Sequence, residues 1–137
     1  MEPIIEFKTI KEATDCLKEW QTRLFLDDWI IKIKLCRPDE FIGEDRCGEN
    51  EYQVTNKSSV IRILKQKFYG DRIVKFCHEE TLIHELLHLK YGMVCPVDPV
   101  SYAEAHLRAH EHMLVEQMAK SLIMAKYNLP FEWFKNF

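Results

Sequence analysis

The chain has 137 residues, 47% hydrophobic and 30% charged, the proportions of an ordinary globular protein, and the whole of 1–137 is expected to form one domain. A formal charge of −3 provides no basic footprint, which argues against nucleic-acid binding. Apolar runs are too short to span a membrane. The opening Met-Glu-Pro-Ile-Ile-Glu-Phe-Lys lacks the basic start and long apolar stretch of a signal peptide, so a cytoplasmic location is expected.

Residues 9–26 carry Ile10, Ala13, Leu17, Trp20 and Leu24 at spacings of three and four, with Lys11, Glu12, Lys18 and Glu19 opposite, which predicts an amphipathic helix ended by Asp27-Asp28. From Trp29 to Cys36, apolar residues alternate with Lys32 and Lys34 at period two, a half-buried strand that Arg37-Pro38 closes. Residues 38–50 hold Gly43, Gly48 and Asn50 and read as loop. Short strands follow at 51–55 and 59–64, joined by a turn at Asn56-Lys57-Ser58. Residues 65–76 fit a loop, a short helix or a lid. A helix beginning near Cys77 or His78 has Glu79 and Glu80 in its first turn, where the helix dipole favours negative charge, and Gly92 as its expected stop. Pro96 and Pro99 mark a connection to a second long helix, about 101–127, before Asn128-Leu-Pro130. The aromatic tail 131–137 either packs on the domain or docks across a cleft and restrains activity. A helix, then turn-linked strands, then two helices is an α+β arrangement. Cys16, Cys36, Cys47, Cys77 and Cys95 are odd in number and lack C-x-x-C spacing, so reduced thiols are expected rather than a disulfide framework or zinc knuckle.

His84-Glu85-Leu86-Leu87-His88 lies well inside the first of those two helices. Residues four apart on a helix stack one turn above each other, so His84 and His88 can offer both imidazoles to one metal ion. Glu85 occupies the position that takes a proton from the activated water in zinc peptidases. A catalytic zinc site needs a third protein ligand. Tyr91 and Val94 stand where H-E-x-x-H-x-x-G-x-x-H would require glycine and histidine, which excludes the astacin-like pattern. On the second long helix, at about 100° per residue, Leu107, Leu114, Val115, Met118 and Leu122 all fall within about 60° of Glu111. A carboxylate in the centre of an apolar stripe needs a partner, which makes Glu111 the expected third ligand. Glu104 on the same face, and His110 or His112 at the stripe's borders, remain alternatives. His78 is expected to cap the helix or face solvent.

H-E-L-L-H on a helix after an antiparallel sheet and before a Glu-bearing helix resembles the gluzincin branch of zinc metallopeptidases, and in length the small phage- and prophage-associated members and minimal gluzincins. The resemblance covers roughly residues 28–125. The second helix, which reads His110-Glu-His-Met-Leu-Val-Glu116, departs from the family's N-E-x-x-x-D and E-A-x-x-x-A forms. What the resemblance implies is a minimal zincin-like fold, a Zn2+ cofactor, a peptide or protein substrate, and a substrate-binding strand beside the motif helix. For that strand the natural candidate is 59–64. The competing expectation from another class is a zinc-bearing, non-catalytic protein-interaction module of phage or prophage type.

Overall fold

The computed structural model describes residues 1–70, 77–94 and 102–135, with side chains for all of these except 93–94 and 102–108. The expected connection at Pro96 and Pro99, Cys95, and the side chains of Glu104 and His106 lie outside the described residues. The elements are α1 (Ile10–Arg23), β1 (Ile30–Cys36), β2 (Gly48–Gln53), β3 (Ser58–Leu64), α2 (His78–Val94), α3 (Tyr102–Tyr127) and α4 (Glu132–Lys135), with single 3-10 turns at Pro38–Glu40 and Gln66–Phe68. The fold is α+β. No helix among the described residues is long and apolar enough to cross a membrane.

Thr9 caps α1, its hydroxyl accepting from the Glu12 amide at 3.1 Å. The helix ends at Arg23, earlier than the Asp27-Asp28 boundary. Its end is a Schellman motif: Leu26 N–H donates to Gln21 C=O at 2.7 Å and Phe25 N–H to Thr22 C=O at 3.2 Å. The left-handed residue of that motif is Phe25, at φ 57° and 85% exposed. Glycine bears this conformation without the Cβ clash, and an exposed ring has little packing to lose. Phe25→Gly is therefore expected to stabilise the fold by about 0.5–1 kcal/mol, read as a higher urea midpoint at unchanged m-value.

The strands form one sheet in the order β1-β3-β2. β1 runs parallel to β3, with Ile33 opposite Ile61, and β2 runs antiparallel to β3, with Asn50 also opposite Ile61. β3 is thus central and both its edges are taken, which corrects the expectation that it receives substrate; β2, not β3, is the sheet edge packed beside α2. β2 also begins earlier than its β-branched content suggests. Gly48 and Asn50 look like turn residues, yet both pair with β3. At Gly48 the reason is contact: a Cβ there would lie 2.6 Å from Thr81 Cγ2 on α2. Gly92, expected as a helix stop, lies inside α2 instead, because a Cβ there would meet the Tyr52 ring at 2.7 Å. Both glycines let the hairpin lie close to α2.

Trp20 and Leu17 of α1, Ile33, Ile61 and Ile63 of the sheet, Leu82, Ile83, Leu86 and Leu89 of α2 and Val115, Ala119 and Ile123 of α3 form one buried cluster. Polar groups anchor α2 within it. His78, expected to cap the helix or face solvent, opens α2 and is only 1% exposed. Its Nδ1 accepts from Phe7 N–H at 2.8 Å and its Nε2 contacts Leu64 C=O at 2.9 Å, which fixes a neutral ring with the proton on Nε2. Burial lowers its pKa, against the opposing pull of the Leu64 carbonyl. Glu79 is fully buried. It accepts from Ile4 N–H at 2.9 Å, Trp20 Nε1 at 2.8 Å, Lys126 Nζ at 2.8 Å and the Tyr127 hydroxyl at 2.5 Å, joining the N-terminal segment, α1, α2 and α3 at one carboxylate.

Candidate metal and catalytic site

α3 packs along α2 through the line Glu111, Val115, Ala119 and Ile123, all buried. This seam is narrower than the apolar stripe expected from periodicity, for Leu114 and Met118 are 41% and 43% exposed. The small Ala119 fits a close approach of the two helices. The helix rotation that results brings Glu111, His112 and Glu116 towards the motif.

His84 Nδ1 lies 2.7 Å from Glu116 Oε2, and His88 Nδ1 lies 2.9 Å from Glu111 Oε2. A carboxylate accepts, so each Nδ1 carries the proton and each Nε2 is left with its lone pair when the ring is neutral. Those two Nε2 atoms face each other at 3.2 Å. Two acceptors at that distance need a proton or a cation between them. Two nitrogens on one tetrahedral zinc, at about 2.0–2.1 Å each, stand roughly 3.3–3.4 Å apart. His112 completes the arrangement, its ring centroid 4.7 Å from that of His88 and 5.8 Å from that of His84. The ligand atoms of His84, His88 and His112 all lie within 4.8 Å of one another. The donor set and its spacing therefore fit zinc. Carboxylates behind metal-binding imidazoles fix tautomer and orientation and raise ligand basicity, and Glu111 and Glu116 stand in that relation to His88 and His84.

The structure thus brings His84 and His88 together as expected but places Glu111 on the far side of the His88 ring from Nε2. The buried carboxylate does have the partner its position demanded; the partner is an imidazole. His112, left among the alternatives, is the third member of the cluster. His110 is exposed and does not belong to it.

Glu85 is buried, and its Oε2 has no hydrogen-bond partner among the described residues. Burial pushes its pKa up to about 7, against the pull of His84 and Arg46. Its side chain sits against the start of β2, where a Cβ on Gly48 would lie 3.4 Å from Glu85 Cγ. One residue pair from Gly48, the Asn50 amide donates to the Glu85 carbonyl at 2.7 Å while its Oδ1 accepts from Ser59 Oγ at 2.5 Å. Asn50 therefore ties the edge strand to the turn of α2 that carries Glu85. Sequence reasoning took it for a turn former, and no pattern in the sequence marked this half-buried residue as a strand-to-helix tie.

Glu80, half-buried one turn before His84, interacts with Glu116. Burial and the Glu116 charge raise the Glu80 pKa. Burial works against ionised Glu116, but the hydrogen bonds from His84 and Glu80 outweigh it and lower its pKa. Glu116 is thus ionised and able to hold the His84 proton. The pKa of His84 is raised, the cost of burying its charge being outweighed by the Glu116 bond and the surrounding carboxylates.

A cleft of about 430 Å³ opens over this assembly. Its floor is α2, with Glu80, Thr81, His84 and Glu85. The approach to β2 supplies Arg46, Cys47 and Gly48; α3 supplies His112, Glu116 and Lys120; α4 supplies Phe134. The loop preceding β2 is pinned by buried Glu49, which accepts from Ile42 and Gly43 N–H at 3.1 and 2.8 Å and from Arg62 at 3.2 Å. No protein-family model, characterised protein or solved structure matches the chain.

Proposed function

We propose that the protein is a zinc-dependent hydrolase acting on peptide bonds, with the H-E-x-x-H helix of zinc metallopeptidases but His112 in place of the gluzincin glutamate, so that His84, His88 and His112 are the metal ligands and Glu85 the general base. The observation that carries this reading is the pair of Nε2 atoms 3.2 Å apart with both Nδ1 atoms engaged by carboxylates. Zinc bound there supplies Lewis acidity and makes water a competent nucleophile near neutral pH. Glu111 and Glu116 hold the two imidazoles in the tautomer that offers Nε2. Glu85, with a pKa near 7, takes a proton from the attacking water and delivers it to the departing amine. Its buried Oε2 favours this reading over a non-catalytic metal module, which has no use for a costly unsatisfied carboxylate beside the cluster.

Metal content of purified variants tests the ligand set. His112→Ala is expected to abolish stoichiometric zinc binding, whereas Glu111→Gln is expected to keep zinc with affinity reduced about 10–100-fold. The opposite order would return Glu111 to the ligand position. Cleavage of a diverse peptide library that stops on adding chelator tests the reaction. Full zinc occupancy without cleavage would leave the interaction-module reading.

A further inference from the structure

We propose that Phe134 sets the width of the cleft beside His84 and Glu85 and restricts it to peptides whose side chain next to the scissile bond is small. The substrate part rests on the peptidase reading; the wall itself does not. α3 ends at Asn128 in the left-handed conformation, φ 52°, with Leu129 N–H on Met124 C=O at 3.0 Å. Trp133 N–H on Pro130 C=O at 3.0 Å then starts α4, so the chain is turned back rather than released. Trp133 and Phe134 stack edge to face at 4.8 Å and pack partly buried against the core. Phe134 is thus a fixed wall and not a loose end.

That wall runs without a break to the metal cluster. Lys120 Nζ lies over the Phe134 ring at 5.9 Å and pairs with Glu116 at 3.5 Å, and Glu116 holds His84 at 2.7 Å. On the β2 side the cleft is bounded at Gly48, which has no side chain to retract and whose backbone is already pressed against Thr81 and Glu85. On the α4 side of the cleft Phe134 alone lines it, so trimming that ring makes room there. Glu80, Glu116, Lys120 and Arg46 in the lining are charged, so an apolar side chain would seat on the aromatic rings, Phe134 and Tyr69.

Two measurements on the zinc-loaded 137-residue chain test this, using wild type, Phe134→Ala, Phe134→Leu and Phe134→Trp. The first compares alkylation of Cys47, which lines the cleft, by iodoacetamide and by a fluorescein maleimide, resolved by peptide mass spectrometry. Cys77 lines it too, but burial pushes its thiol pKa up to about 12 and keeps it unreactive. The second compares kcat/KM for peptides that differ only in alanine or phenylalanine beside the scissile bond. Phe134→Ala is expected to raise both bulky-to-small ratios, on the order of tenfold for the peptides; Phe134→Leu should raise them less, and Phe134→Trp should lower them. Ratios that stay level across the four proteins would overturn the proposal. If the alkylation ratio moves and no peptide is cut, the wall stands and the peptidase reading fails. If peptides are cut with both ratios unmoved, the wall fails and the peptidase reading stands.

Discussion

Glu85→Gln is expected to lower kcat/KM on any cleaved peptide by about 10²–10⁴-fold while zinc content stays stoichiometric. The amide keeps the shape of the side chain against Gly48 but cannot accept the proton of the attacking water. The same variant should be more stable than wild type in the metal-free state, and the sign follows from the raised pKa. Between an ordinary carboxyl value of 4.5 and about 7, the folded protein holds a proton on Glu85 that the unfolded chain has released. Unfolding therefore gains from rising pH across that window, and wild-type stability falls as pH passes from 4.5 to 7. Glutamine has nothing to ionise, so by pH 8 it should recover up to about 3 kcal/mol. Urea unfolding of chelator-treated protein at pH 5 and pH 8 reads this. Equal activity in Glu85→Gln would remove it from catalysis, and a pH-independent difference in stability would remove the buried-charge account.

The second large effect lies at Glu79. Replacing it with glutamine should cost about 3–5 kcal/mol of stability. The loss takes away the charge that compensates Lys126, whose side chain is only 5% exposed, and disturbs acceptors for Trp20, Tyr127 and the Ile4 amide. Lys126 keeps its second partner, Glu19, at 2.8 Å, which places the effect towards the lower end of the range. Adding Lys126→Met to Glu79→Gln should restore part of the loss, because the stranded cation is removed with its partner. A single-variant cost below about 1 kcal/mol would show that water or repacking replaces the hub. Glu79 sits beside Glu80 in sequence but about 100° round the helix from it, bonded to the N-terminal segment, α1 and α3 rather than lining the cleft. Zinc affinity per folded molecule should accordingly change little.

The pattern of residues carried the elements better than it carried the site. Ala13, Leu17 and Trp20 had only one way to share a buried face, and α1 follows them; Lys32 and Lys34 alternate with Ile33 and Leu35, and β1 follows those. β2 was displaced because Gly48 and Asn50 have poor strand propensity, yet close contact with Thr81 and a hydrogen bond to the Glu85 carbonyl outweigh that deficit. Gly92 failed as a helix stop for the same reason: Tyr52 needed its space. At the site, His84, Glu85 and His88 are local and could be read from one helical turn. Glu111 could not be settled this way. Burial dictates that a carboxylate finds a partner, but whether the partner is a metal ion or the Nδ1–H of an imidazole depends on how far α3 rotates against α2. A rotation of one residue, about 100°, separates Glu111 from His112, and periodicity is too coarse to decide it. Phe134 was legible only as part of an aromatic tail, since nothing in the sequence says which cleft the tail meets.

The parallel placement of β1 beside β3 makes β1 a sheet margin among the described residues. A margin offers unpaired amides and carbonyls to any passing strand, including the same strand of another copy. Along β1 the exposed positions are Ile30, Lys32 and Lys34. Two copies meeting there would bring at least four ammonium groups into one ribbon, and this repulsion keeps the margin from becoming a template. Without the two lysines, Ile30–Cys36 would be a nearly uncharged, β-branched heptad of the kind that seeds fibrils. The pair that marks β1 as a strand in the sequence also sets like charges along its margin, which disfavours pairing with a second copy.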